Sequence, residues 1–169
     1  YSKGGKSNYA KALVWYQRAA EKGNPQAQNM IGTMYQQGKG TRKSDVSAIE
    51  YYLKSAKQGY PKAMSNLAMM YRHGFGTGVN HLKAIMWYSK AANSGESLAQ
   101  YNIETMYKEH PLSNDEYKKL VKIHMDDAEN GNPYAEYNLG IMYRDGRGVN
   151  VDKAVSMEWF VKSAAQGHP

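Results

Sequence analysis

The sequence predicts an all-α fold, a right-handed α/α superhelical solenoid of helix-turn-helix repeats with a 36-residue period. Two observations carry this. The dipeptide Met-Tyr begins at Met34, Met70, Met106 and Met142, 36 residues apart each time, and four further columns keep the same beat. These are Ala27, Ala63, Ala99 and Ala135; Trp15, Tyr51, Trp87, Ile123 and Trp159; Ala20, Ala56, Ala92, Ala128 and Ala164; and Gly23, Gly59, Gly95, Gly131 and Gly167. The second observation is that each period contains two stretches of helical apolar spacing separated by turn residues.

In the first helix of each unit, Ala27, Ile31, Met34 and Tyr35 fall at i, i+4, i+7 and i+8, a single apolar stripe. Ala63, Leu67, Met70 and Tyr71 repeat it, as do Ala99, Ile103, Met106 and Tyr107, and Ala135, Leu139, Met142 and Tyr143. The second helix has a stripe of its own, as in Ala84, Trp87, Tyr88, Ala91 and Ala92, so the tryptophans read as core. Asn8, Ser44, Asn80 and Asp152 share one column and suit the N-cap of the second helix. Glu116 interrupts that column, and Ser113-x-x-Glu116 offers a capping box instead. The glycine column supplies the left-handed residue that ends the second helix, and Pro25, Pro61 and Pro133 then suit the first turn of the next.

The loops exclude a tempting nucleotide reading. "QQGKGTRKS" (residues 36–44) resembles a phosphate cradle, but Gly40 stands where a P-loop needs its hydroxyl, and Lys39 aligns with Phe75 and Arg147. Gly38 and Gly40 align with Gly74 and Gly76 and with Gly146 and Gly148, which makes the segment a helix-to-helix turn.

The repeated frame, clearest in "AEYNLGIMYRDGRGVNVDKAVSMEWFVKSAAQG" (residues 135–167), resembles the Sel-one-like repeat (SLR), a relative of the tetratricopeptide repeat. The resemblance covers essentially the whole chain as a partial repeat over 1–26, repeats over 27–62 and 63–98, a divergent repeat over 99–134 and a repeat over 135–169. It implies first helices lining a concave surface and a non-catalytic adaptor role. Tyr1 falls late in a unit and Pro169 opens one, so the sequence reads as a fragment of a longer solenoid.

Composition bounds the function. There is no cysteine, which excludes disulfides, cysteine nucleophiles and thiolate metal sites. No usable N-x-[ST] sequon and no signal peptide is visible, which together lean towards an intracellular location. The net charge of +7 favours acidic partners, although the lysines are dispersed. The expected partner is a protein or peptide; nucleic acid is the lesser expectation, no membrane insertion is expected, and open solenoid ends permit self-association. No cofactor and no metal is implied.

Candidate partner-binding residues lie on the first helices, opposite the stripe. One column holds Asn29, Tyr101 and Tyr137, a second Met69 and Ile141, a third Gln36, Arg72, Lys108 and Arg144, and a flanking one Asn66, Asn102 and Asn138. Asparagine amides suit a peptide backbone, tyrosines supply contact area, and the basic row suits carboxylates. The third unit departs from the frame, with Glu104 in the column of Gly32, Ala68 and Gly140, His110-Pro111 in place of the Gly-x-Gly turn, and Ile123 in place of the indole. Asp127 sits in a column of small residues. Glu104, His124 and Asp127 lack metal-ligand spacing and read as degeneracy or a specialised bend. Two other functional classes compete: a helical repeat binding single-stranded nucleic acid, and the recognition module of an enzyme whose catalytic domain lies elsewhere.

Overall fold

The computed structural model describes residues 3–167, and its backbone groups into two compact units, Tyr1–Glu96 and Ser97–Pro169. Tyr1, expected late in a unit, and the expected repeat start at Pro169 lie outside the described residues. The first unit contains α1 (Lys3–Glu21), α2 (Pro25–Gln37), α3 (Asp45–Lys57), α4 (Pro61–His73) and α5 (His81–Asn93). The second contains α6 (Ala99–Glu109), α7 (Asn114–Glu129), α8 (Pro133–Asp145) and α9 (Lys153–Ala165). No strand occurs among the described residues, and the fold is an all-α helical repeat.

The helix ends follow the cap chemistry. Ser44, Asn80 and Asp152 each accept backbone N–H bonds at the starts of α3, α5 and α9. Ser113 and Glu116 close the capping box of α7, with Ser113 N–H donating to Glu116 Oε2 at 3.0 Å. Pro25, Pro61 and Pro133 occupy first turns, and Gly59 ends α3 with its neighbour Tyr60 donating back to Ser55 O at 3.4 Å. Asn8 is the exception. It lies inside α1, because the column of Gly38, Gly74 and Gly146 holds Ser2, and no left-handed glycine separates Asn8 from the residues before it.

The stripe is the core. Ile31, Leu67, Ile103 and Leu139 are fully buried, and Met70, Met106 and Met142 with them; each such side chain contributes roughly 1.5–3 kcal/mol on burial. Within a unit, two glycine columns set how closely the helices approach. A Cβ on Gly32 would stand 2.7 Å from the Tyr52 ring, and one on Gly140 2.5 Å from the Phe160 ring. The second loop glycine serves a different approach. A Cβ on Gly148 would lie 2.5 Å from the Tyr117 carbonyl carbon, and those on Gly40 and Gly76 2.6 Å from the backbone of Tyr9 and Asp45. Each of these loops therefore rests on the second helix of the preceding repeat.

The third repeat breaks the pattern in a way these columns explain. The pairs α2/α3, α4/α5 and α8/α9 bring their backbones close together, and α6/α7 is not among the closely packed pairs. Glu104 occupies the column where Gly32, Ala68 and Gly140 admit a ring, so the small contact surface is missing. The two helices touch instead through Tyr107 and Tyr117, whose ring centroids lie 6.0 Å apart. The absence of the left-handed glycine shows as well: His110 ends α6 at φ −135°, where Gly38, Gly74 and Gly146 stand near +70°.

Trp15 departs from the core assignment at 68% exposure, with the Arg18 guanidinium 5.1 Å above its ring. Its column partner Tyr51 stacks on Tyr35 of the helix before it at 5.7 Å, and no helix precedes α1 among the described residues. Trp87 and Trp159 are half-buried, each with a lysine over its ring.

Candidate functional site

The third column of the first helices, Gln36, Arg72, Lys108 and Arg144, behaves differently in the two units, and the second helix decides how. In the first unit Tyr52 donates its hydroxyl to Gln36 Oε1 at 2.9 Å, and Gln36 Nε2 meets Met70 Sδ at 3.4 Å. Arg72 hydrogen-bonds the Tyr88 hydroxyl; burial pushes that phenol up, and Arg72 partly offsets the rise. Both row residues are half-buried against a phenol of the neighbouring second helix. In the second unit the same column of phenols holds His124 and Phe160, which lack the hydroxyl, and Lys108 and Arg144 are exposed.

The asparagines serve the repeat itself. Asn29 is 4% exposed and its Oδ1 accepts from Asn66 Nδ2 at 2.9 Å. Asn138 is fully buried and its Oδ1 accepts from Gln100 Nε2 at 3.1 Å. Asn102 donates to Leu98 O at 2.9 Å within its own helix. The expected exposure of Asn29 and Asn138 is therefore not met. Ile141 is also buried, at 5% exposure. Met69 and Asn66 are half-buried, and Tyr101 is open at 68% exposure.

What the second unit brings together is a pocket of about 180 Å³ lined by Glu104, Tyr107, Lys108, Tyr137, Ile141, Arg144 and Arg147. Four of these belong to the candidate partner-binding residues, Lys108, Tyr137, Ile141 and Arg144, and Glu104 is the carboxylate by which the third unit departs from the frame. Tyr137 rests on Phe160, centroids 5.5 Å apart, and hydrogen-bonds Glu104. Burial and then the Glu104 carboxylate push its phenol up. A broader cleft of about 650 Å³ shares the Glu104 and Tyr137 wall and reaches Gln100, Tyr134 and Gln166.

Asp145 organises the positive side. Its Oδ1 accepts from Arg144 Nε at 2.7 Å and its Oδ2 from Arg144 Nη2 at 3.1 Å, and Arg147 Nη2 lies 3.0 Å from the same Oδ2. The fork from Arg144 holds the Asp145 carboxyl below the usual carboxylate range. Arg147 lies 4.8 Å over the Tyr107 ring and 6.0 Å over that of Tyr117.

Arg147 and Tyr107 are site residues that the sequence reading passed over, one as a freely varying loop position and the other as stripe. A signal existed. Lys39 lies 5.5 Å over Tyr9, and Tyr9 and Lys39 occupy the columns of Tyr117 and Arg147. Where the loop residue is Phe75, the ring column holds Asp45 instead. Cation and ring thus change together.

Glu104, His124 and Asp127 do not assemble a metal site; among the described residues no group of three His, Asp or Glu does. His124 is buried with neither ring nitrogen hydrogen-bonded, and burial pushes it down to about 4. No helix among the described residues is long and apolar enough to cross a membrane.

Comparison with known proteins agrees with this repeat structure. The model of the Sel1 repeat matches residues 1–24, 25–60, 61–96 and 133–168 and passes over the divergent third unit. A similar solved structure is a protective antigen present in uropathogenic Escherichia coli strains displaying an SLR fold, at 36% identity and a TM-score of 0.56. The match covers 92% of this chain and 33% of that one. Another is a Sel1 repeat protein from Oxalobacter formigenes, at 30% identity and a TM-score of 0.58, over 95% of this chain and 66% of that one. The chain thus spans one third of the first relative's length and just under two thirds of the second's. No curated protein matches.

Proposed function

Because this chain belongs to the Sel1 repeat family, whose repeats generally serve as protein–protein interaction modules, we propose that it is a non-catalytic scaffold binding a peptide or protein segment on its concave first-helix surface. Members of the family are generally non-catalytic scaffolds.

The observation that carries the reading is the contrast within one column. Gln36 and Arg72 are tied to phenols of their own repeats, whereas Lys108 and Arg144, the latter forked onto Asp145, are exposed and line one pocket with Tyr137. Exposed tyrosine and arginine on a rigid helical face supply large contact area and directional donors at low entropic cost. An acidic segment is the complementary partner. Glu104, Asp145 and Glu109 on the same helices disfavour a polyphosphate backbone.

Peptide selection on the immobilised chain tests this. Selected peptides should be enriched in Asp and Glu, and joint charge reversal of Arg72, Lys108 and Arg144 should weaken them about tenfold or more. Selection without acidic bias, or affinities unmoved by the reversal, contradicts the proposal.

A further inference from the structure

Arg144, the residue of the basic row most obviously suited to a carboxylate, already has one. Its Nε and Nη2 fork onto Asp145 at 2.7 and 3.1 Å. Arg147 differs. Asp145 holds only its Nη2, the guanidinium is fixed over two tyrosine rings, and its Nη1 is buried without a hydrogen-bond partner. Tyr107, 4% exposed and lining the same pocket, likewise has a hydroxyl with no partner. Burial keeps that phenol protonated far above neutral pH, so it remains a donor.

Two donors without a protein partner, on lining residues of one cavity, suit an acceptor that enters it. At about 180 Å³ the cavity lies below the roughly 300–1,000 Å³ of small-molecule sites, and suits one side chain. Glu104 on its wall and Asp145 behind it oppose a chain of phosphates but tolerate one carboxylate met by two donors.

We propose that this pocket reads a single carboxylate, an Asp or Glu side chain of a bound peptide, with Arg147 and Tyr107 making the contact and Arg144 positioning Arg147 through Asp145. The proposal rests on the first-helix reading above and names the anchor within it. It also gives the divergent third repeat a role: Tyr107 belongs to α6, and Tyr117, which backs Arg147, to α7.

The test compares a fluorescent peptide of alternating Glu and Gly with its Gln counterpart by anisotropy against the 169-residue chain. The Glu peptide should bind at least about tenfold more tightly than the Gln peptide. Arg147→Gln and Tyr107→Phe should each bring that ratio towards one, the first by about tenfold and the second by roughly threefold or more. Arg144→Gln should act in the same direction but less. Tyr107→Phe retains the ring, so its ratio decides the matter if Arg147→Gln impairs folding. An unchanged ratio in both variants overturns the proposal, as does failure of the parent chain to bind the Glu peptide. So does Arg147-dependent binding of an oligothymidylate in place of the peptide. If reversal of Arg72, Lys108 and Arg144 abolishes peptide binding while Arg147→Gln and Tyr107→Phe keep the Glu/Gln ratio, the pocket assignment falls and the first-helix reading stands.

Discussion

The Tyr52 hydroxyl donates to Gln36 Oε1 at 2.9 Å and stands 3.2 Å from Thr33 Oγ1, so a second-helix phenol holds the outermost row residue of its own first helix. Tyr88 does the same for Arg72. Phe160 has no polar atom to do so and the His124 ring nitrogens make no hydrogen bond, and Lys108 and Arg144 are exposed in the second unit.

Tyr52→Phe removes the hydroxyl and keeps the packing. It should cost about 1 kcal/mol of stability, read as a lowered midpoint in urea, while leaving the affinity of a selected acidic peptide unchanged. A stability loss below experimental error would mean that the phenol does not hold Gln36 in solution.

The loop glycines separate two kinds of constraint. A Cβ added at Gly131 (φ 76°) would meet nothing within 4 Å, whereas one added at Gly148 (φ 72°) would strike the Tyr117 backbone. Gly131→Ala should therefore cost about 1 kcal/mol from the left-handed backbone alone. Gly148→Ala adds overpacking and should cost about 2–4 kcal/mol. Equal denaturation midpoints for the two variants would contradict the loop-on-helix contact.

His124 makes the fold sensitive to acid. Its folded value of about 4 lies below the ordinary 6.5 because burial disfavours the imidazolium. Between those values the unfolded chain binds the extra proton, so stability is full above about pH 6.5 and declines as pH falls towards 4. By pH 4.5 this one group should remove roughly 2–3 kcal/mol. His124→Phe, which copies Phe160 in the same column, should flatten the decline between pH 7 and 4.5. Parallel pH–stability curves for the two proteins would rule out His124 as the cause.

The buried amides divide structure from binding. Asn29→Ala should lower stability by about 1 kcal/mol or more, since Asn66 Nδ2 loses its 2.9 Å acceptor. It should leave peptide affinity untouched. A stable Asn29→Ala variant with weakened peptide binding would return that asparagine to the binding face.

The period, the helices and nearly all caps were legible because each depends on residue type at fixed spacing: the alanine stripe, the glycine columns, and Ser113 with Glu116. Asn8 was misread because a cap residue needs a break before it, and Ser2 does not supply the left-handed glycine that makes one. The site was only half legible. Helical spacing says which residues oppose the stripe, but not that Gln100 of the neighbouring repeat engages Asn138 or that Ile141 is buried. Arg147 escaped because its loop column varies, and its meaning lies in the tyrosine it faces from another helix.

The central claim is that acidic peptides bind the first helices. Backbone amide shift mapping with a selected acidic peptide tests it most directly. The perturbed amides should fall on α6, on α8 and on the loop carrying Arg147, with α7 and α9 perturbed only where they back these residues. Perturbations concentrated on the outward faces of α3, α5, α7 and α9, with Lys108, Arg144 and Arg147 unmoved, would contradict the account.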